Sequence, residues 1–245
     1  MGRILDNSRG TYHPLTIFNT STLQLFEYQE KLQSFKQLTI KDDSNLMTKF
    51  PKNFKSVYLG NEYETYFIAG GINPKSNKAS KSAFLLEKNQ LTQVRDMRMS
   101  RINFAMATLK ESKRISHQVV NVYCIGGYSV KEGRAMKEVE MYSMETKEWM
   151  NVAEMNIARI NPGACSTGQR FIYVFGGRSQ GEEFYDTIER YNVELNIWSV
   201  LRVTMPIGLC NLYCFTFLKE DRIVILGGLK KKVMKNKIQA AIDAH

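Results

Sequence analysis

Four short apolar runs, Tyr66-Phe67-Ile68-Ala69, Val122-Tyr123-Cys124-Ile125, Ile172-Tyr173-Val174-Phe175 and Ile223-Val224-Ile225-Leu226, each end in a glycine doublet. The doublets Gly70-Gly71, Gly126-Gly127, Gly176-Gly177 and Gly227-Gly228 recur at intervals of 56, 50 and 51 residues. The runs are short and rich in β-branched and aromatic residues, which predicts strands. They are continuous rather than alternating, so each strand is expected to be buried on both faces. The doublet closes the strand because glycine accepts the positive φ and close backbone approach of a chain reversal.

Two further strands are predicted after each of the first three doublets. Val139-Glu140-Met141-Tyr142 leads to Trp149, and Ile188-Glu189-Arg190-Tyr191 leads to Trp198, each tyrosine seven residues before its tryptophan with a hairpin turn between. The same spacing recurs in degenerate form as Tyr28 to Phe35, and the first doublet unit offers Leu86 and Leu91 across a shortened turn. With a small-residue strand before each doublet strand, every unit becomes one four-stranded sheet. A regular aromatic pair is expected to pack between such sheets and to use its polar handles on a neighbour. Self-similarity at about 50 residues implies a repeat array whose units bury their apolar faces mainly against one another.

The glycine doublet, the tyrosine and tryptophan seven residues apart and the 50-residue spacing together resemble the kelch-repeat family. The resemblance spans roughly Leu23 to Leu229, complete in two units and partial in the others. It implies an all-β, kelch-type β-propeller of about four blades, incomplete or open, with four-stranded antiparallel blades. On this reading residues 1–22 form a leader and 23–229 the propeller, with 230–245 a basic tail. Within the propeller, an outer half-blade covers 23–40, blades cover about 53–98, 102–153 and 160–203, and an inner half-blade covers 209–229. If the two halves meet, they complete one blade and close a four-bladed ring; otherwise the array stays open.

A second periodic feature lies in the turns leading into each inner strand. Met97, Arg101 and Asn103 share their offsets with Met155, Arg159 and Asn161; Met205 is followed by Leu209 and Asn211, and Met47 by Pro51 and Asn53. Asparagine tolerates turn conformations, which explains its recurrence without a ligand. The family resemblance adds a second role, peptide binding by arginines and small polar residues of the loop surface, mapped onto Arg101, Asn103, Arg159, Asn161, Asn53, Asn211 and Arg178. A guanidinium fork holds a carboxylate or phosphate bidentately, so an acidic or phosphorylated peptide is the expected ligand. Asn73, Tyr128 and Ser179, just after the doublets, would extend that rim.

Composition narrows the remaining classes. A net charge of +10 favours acidic partners in general. The densest basic stretch, Lys230-Lys231-Lys232 with Lys235 and Lys237, lacks a base-reading motif, so nucleic acid is not the expected partner. No run of about 18 apolar residues and no secretory h-region are present, which gives no membrane span and a cytoplasmic default. Cys124, Cys165, Cys210 and Cys214 are too few for a disulfide framework and are expected as buried thiols, not metal ligands. His13, His117 and His245 share no equivalent position, as a copper-oxidase type of propeller site would need, and no nucleotide, zinc or nucleophile motif is present. The expected function is a non-catalytic protein-binding module without cofactor or metal, and the resemblance to the kelch family implies service as a substrate-recognition adaptor of a ubiquitin ligase or as a cytoskeletal scaffold. Two alternatives stand beside it: a basic scaffold for an anionic polymer or lipid surface, and a structural protein that oligomerises through open blade edges.

Overall fold

In the computed structural model, residues 16–19, 24–29, 34–41, 46, 50–59, 65–114, 117–217 and 222–230 are described. Met47, His13, His245 and the tail lysines beyond Lys230 lie outside them. Among the described residues, every named element is a β-strand. Three sheets are complete, antiparallel and four-stranded. The first contains β4 (Lys55–Tyr58), β5 (Tyr66–Ala69), β6 (Ala83–Glu87) and β7 (Gln90–Val94), in that order. The second contains β8 (Ala105–Arg114), β9 (His117–Ser129), β10 (Arg134–Ser143) and β11 (Trp149–Val152). The third contains β12 (Gly163–Thr167), β13 (Phe171–Phe175), β14 (Thr187–Asn192) and β15 (Ile197–Thr204). We call these blades 1, 2 and 3.

Partial sheets stand at either end. β16 (Cys210–Phe217) pairs only with β17 (Arg222–Leu229), while β1 (Thr16–Asn19), β2 (Gln24–Gln29) and β3 (Ser34–Leu38) form a three-stranded sheet. The two remain separate sheets, so the array is an open arc. β1 lies within residues 1–22, the expected leader, and occupies, beside β2, the place that a doublet strand holds in the blades. Its four residues, Thr16-Ile17-Phe18-Asn19, carry no glycine doublet, which is why the pattern overlooks them.

Adjacent blades bury each other's faces, as a repeat array requires. Ala105, Ala107, Leu109, Tyr123 and Ile125 of blade 2 pack on Ile172, Val174, Tyr191 and Trp198 of blade 3. Phe67, Ala69 and Ala83 of blade 1 meet Phe104, Val122, Tyr142 and Trp149 of blade 2. The seven-residue spacing becomes direct cross-strand pairing, Tyr142 opposite Trp149 and Tyr191 opposite Trp198, with ring centroids 5.2 and 5.0 Å apart. In blade 1, Leu86 stands opposite Leu91 at the same place. Each indole N–H reaches back to the preceding blade, Trp149 Nε1 donating to the Arg95 carbonyl at 2.7 Å and Trp198 Nε1 to the Ala153 carbonyl at 2.8 Å. The aromatic pair thus supplies apolar area and one directional bond at each junction.

The doublets are also junctions. A Cβ at Gly126 would stand 2.9 Å from the Arg159 carbonyl oxygen and from Met155 Cε, both from the turn leading into blade 3, and φ there is +62°. At Gly227 φ is +72° but no atom lies within 4 Å. Among the described residues, no blade follows β17 to cover the position. In dilute solution Gly227→Ala should cost only the left-handed backbone strain, about 1–2 kcal/mol. Gly126→Ala adds overpacking against main chain, about 1–3 kcal/mol more. Equal urea midpoints for the two variants would contradict this account of the doublet.

Candidate functional site

Three inter-strand bridges put the leading turns and the loops after the doublets on one side of the array: Lys52 with Ile72, Ile102 with Tyr128 and Ile160 with Arg178. The asparagine following each first partner takes a left-handed conformation, with φ of 53° at Asn53, 55° at Asn103 and 53° at Asn161; Asn211 has 59°. The backbone N–H of Asn161 donates to the Asn103 carbonyl at 2.6 Å, and that of Asn211 to the Asn161 carbonyl at 2.7 Å. A main-chain ladder therefore crosses from blade to blade along this mouth. Asparagine is favoured there because it is the non-glycine residue that best tolerates positive φ.

The arginines of the same turns do not face the mouth. Arg101 and Arg159 are wholly buried, which corrects the expectation that they present guanidinium groups to a ligand. Arg159 donates from Nε to Glu189 Oε1 at 3.1 Å, from Nη1 to the carbonyls of Gly176 at 2.7 Å and Thr187 at 3.1 Å, and from Nη2 to Thr187 Oγ1 at 2.9 Å. Arg101 donates from Nη2 to Glu140 Oε1 at 2.6 Å and from Nη1 to the carbonyls of Gly126 at 3.0 Å and Glu138 at 2.9 Å. Burial pulls the Arg159 guanidinium below its ordinary pKa, against the opposing pull of Glu189. Apart from Arg101 Nε, which is buried without a partner, the bonded donors of both groups stay on their own blade, and burial keeps either fork from a peptide carboxylate.

The glutamates complete a lock on the leading turn. Glu140 accepts backbone N–H groups of Arg98 at 2.6 Å and Met99 at 3.1 Å; Glu189 accepts those of Asn156 at 2.7 Å and Ile157 at 3.2 Å. Each carboxylate thus orders the segment that carries the partner arginine. Sequence reasoning missed these residues, although each stands two places before the tyrosine of its aromatic pair. Blade 1 confirms that arginine and glutamate belong together: Pro51 stands at the arginine position and Phe84 at the glutamate position. Phe84 packs instead on Phe50, with ring centroids 4.7 Å apart.

Arg178 differs from the two locked arginines. It is half-buried, and its Nη1 donates only to the Ser179 carbonyl, at 3.3 Å. It stands beside the Asn161 turn through the bridge to Ile160. Tyr128 is half-buried at the equivalent place of blade 2, while Lys52 and Asn53 are exposed at blade 1. Asn73 closes its own loop, its Oδ1 accepting N–H bonds from Lys75 at 2.9 Å and Ser76 at 3.1 Å. Ser179 does the same for Glu183 at 3.0 Å, and Gln180 Nε2 donates to the Gly133 carbonyl at 2.7 Å, tying two neighbouring loops. Next to this loop, Phe184, Gly208, Ile207, Glu183 and Lys230 line a cleft of about 440 Å³.

The Kelch motif matches residues 121–156 and 158–202, the stretches that form the greater part of blades 2 and 3. Over these two stretches the chain is similar to the kelch motif. Kelch-like protein 38 of Homo sapiens is 24% identical over 181 residues, 73% of this chain and 29% of that protein. A RING finger domain and kelch repeat-containing protein of Dictyostelium discoideum is 30% identical over 148 residues, 60% of this chain and 14% of that protein. Beta-scruin of Limulus polyphemus is 28% identical over 179 residues, 69% of this chain and 18% of that protein. This chain therefore spans less than a third of the length of these relatives.

The described residues contain no group of three or more histidine, cysteine, aspartate or glutamate side chains able to hold a metal ion, and no helix long and apolar enough to cross a membrane. Cys124, Cys165, Cys210 and Cys214 are free thiols, and burial raises the pKa of each, that of Cys165 to about 11. Such thiols stay protonated and inert near neutral pH.

Proposed function

We propose that this kelch array binds an acidic peptide segment of a protein partner across the mouth formed by the leading turns and post-doublet loops. The observation that carries the reading is the contrast at Arg178: it sits at the mouth with a single long bond to its own neighbour, whereas Arg101 and Arg159 are locked inside their blades. Lys52 adds a second cation, and Asn53, Asn103, Asn161 and Asn211 the polar floor. The role is non-catalytic. A substrate-recognition adaptor of a ubiquitin ligase, or a cytoskeletal scaffold, is the cytoplasmic setting that fits such a module. The first draws support from the Dictyostelium relative, whose name joins kelch repeats to a RING finger domain.

Fluorescence anisotropy with acidic peptides and their amide-neutralised counterparts tests this. The parent chain should prefer the acidic member, and Arg178→Ala should weaken that preference about tenfold, the worth of one charge-assisted hydrogen bond, without moving the melting temperature. An unchanged preference in Arg178→Ala removes the residue from the site. A salt titration addresses the alternative of a diffuse anionic polymer or lipid surface. There the affinity should fall by orders of magnitude between 50 and 200 mM salt, whereas a shaped site loses much less.

A further inference from the structure

The C-terminal part-blade presents a face that is covered everywhere else in the array. Tyr213 and Leu226, paired across β16 and β17, are each 53% exposed, whereas the residues at their places in blade 2, Ala105 and Ile125, are 5% and 0% exposed. The outer edge of β17 carries no strand among the described residues, although β5, β9 and β13 each pair there with the following strand. Blade 2 gives the register that an incoming strand would take: Val139, Glu140 and Tyr142 stand opposite Ile125, Cys124 and Val122. At β17 the glutamate position must be apolar, because Leu209 replaces the arginine that would neutralise it. Blade 1, with Pro51 in place of that arginine, has Phe84 there.

One strand of this chain has that sequence. In β2, Leu25, Phe26 and Tyr28 stand at the positions of Val139, Glu140 and Tyr142, and Tyr28 is paired with Phe35 of β3 as Tyr142 is with Trp149. Its present inner neighbour β1 offers only 4 residues, against 8 in β17. The β1–β3 sheet lies against blade 1, at the opposite end of the arc from β17, with Leu38 and Ile40 in the blade 1 cluster. We infer that two copies of this chain associate by strand exchange: β17 of each displaces β1 of the other and pairs with its β2, completing a four-stranded blade at both junctions. Two arcs of three full blades and two part-blades then close as a ring of about eight blades, within the four to eight typical of propellers. The inference is independent of which ligand the mouth takes.

Sedimentation of the full chain over a range of concentrations should reveal a species of twice 28.2 kDa. Leu226→Lys, a change at an exposed position of the single chain, should abolish it while leaving the melting temperature within a few degrees. The exchanged register sets Val224 opposite Glu27, so a Val224→Cys chain mixed with a Glu27→Cys chain should form a disulfide-linked heterodimer under mild oxidation that the parent chain does not form. A chain carrying both changes that cross-links within itself at monomer mass would show closure in one copy and overturn the proposal. A monomer at every concentration, with no cross-link in the mixture, would overturn it as well.

Discussion

Glu189→Gln is expected to destabilise the protein by about 3–5 kcal/mol, the cost of leaving one member of a buried ion pair without its partner. The carboxylate is fully buried, and its Oε2 accepts two bonds from Asn156, from the backbone N–H at 2.7 Å and from Nδ2 at 2.9 Å. An amide puts an NH₂ against those donors in one orientation, and against Arg159 Nε and the Ile157 N–H in the other. Either way the Arg159 charge stays inside blade 3 without a counter-charge. Urea denaturation should show the loss, together with faster hydrogen exchange in the turn from Asn156 to Arg159. The double variant Arg159→Leu with Glu189→Phe, an apolar pair like Pro51 and Phe84 in blade 1, should be more stable than Glu189→Gln alone, since replacing both charges removes the desolvation cost with the attraction. A Glu189→Gln protein within 1 kcal/mol of the parent would mean that the pair is solvated and does not order the turn.

The second large effect belongs to the blade junctions. Trp198→Ala should cost about 3–5 kcal/mol, as expected when a large buried aromatic is truncated in a packed core. The indole stacks on Tyr191 and joins the cluster shared by blades 2 and 3. Trp198→Phe keeps most of that area and loses chiefly the N–H bond to the Ala153 carbonyl, worth about 1 kcal/mol. The ordering Ala well below Phe, and Phe slightly below the parent, separates packing from the bond. Trp149 remains as the sole indole in either variant, so its emission reports whether blade 2 unfolds with blade 3 or after it. If Phe and Ala variants have the same midpoint, apolar area is not what binds the blades.

The aromatic spacing was legible because it is a local quantity. Two strands joined by a short hairpin bring residues seven apart face to face, so Tyr142 and Trp149 could be paired from the sequence alone. The glycine doublets were legible for a related reason, since positive φ restricts residue choice at the position itself. The recurring asparagines carried the same backbone signal, and φ values of 53–59° explain them. The arginines share that periodicity, which invited the same surface reading, yet their role is set by glutamates 39 and 30 residues away. No local pattern separates a guanidinium aimed at solvent from one turned into the blade.

From its sequence this chain specifies repeated four-stranded units, the order of strands within each and the positions that must be glycine or aromatic, because propensity, turn geometry and hairpin pairing act between near neighbours. The tertiary structure alone decides what covers each face. It turns Arg101 and Arg159 from ligand candidates into interior locks, leaves Arg178 at the mouth, adds β1 to the N-terminal three-stranded sheet and leaves Gly227, Tyr213 and Leu226 uncovered. Burial depends on which sheet lies over a residue, and that neighbour comes from the adjoining blade, about 50 residues away along the chain.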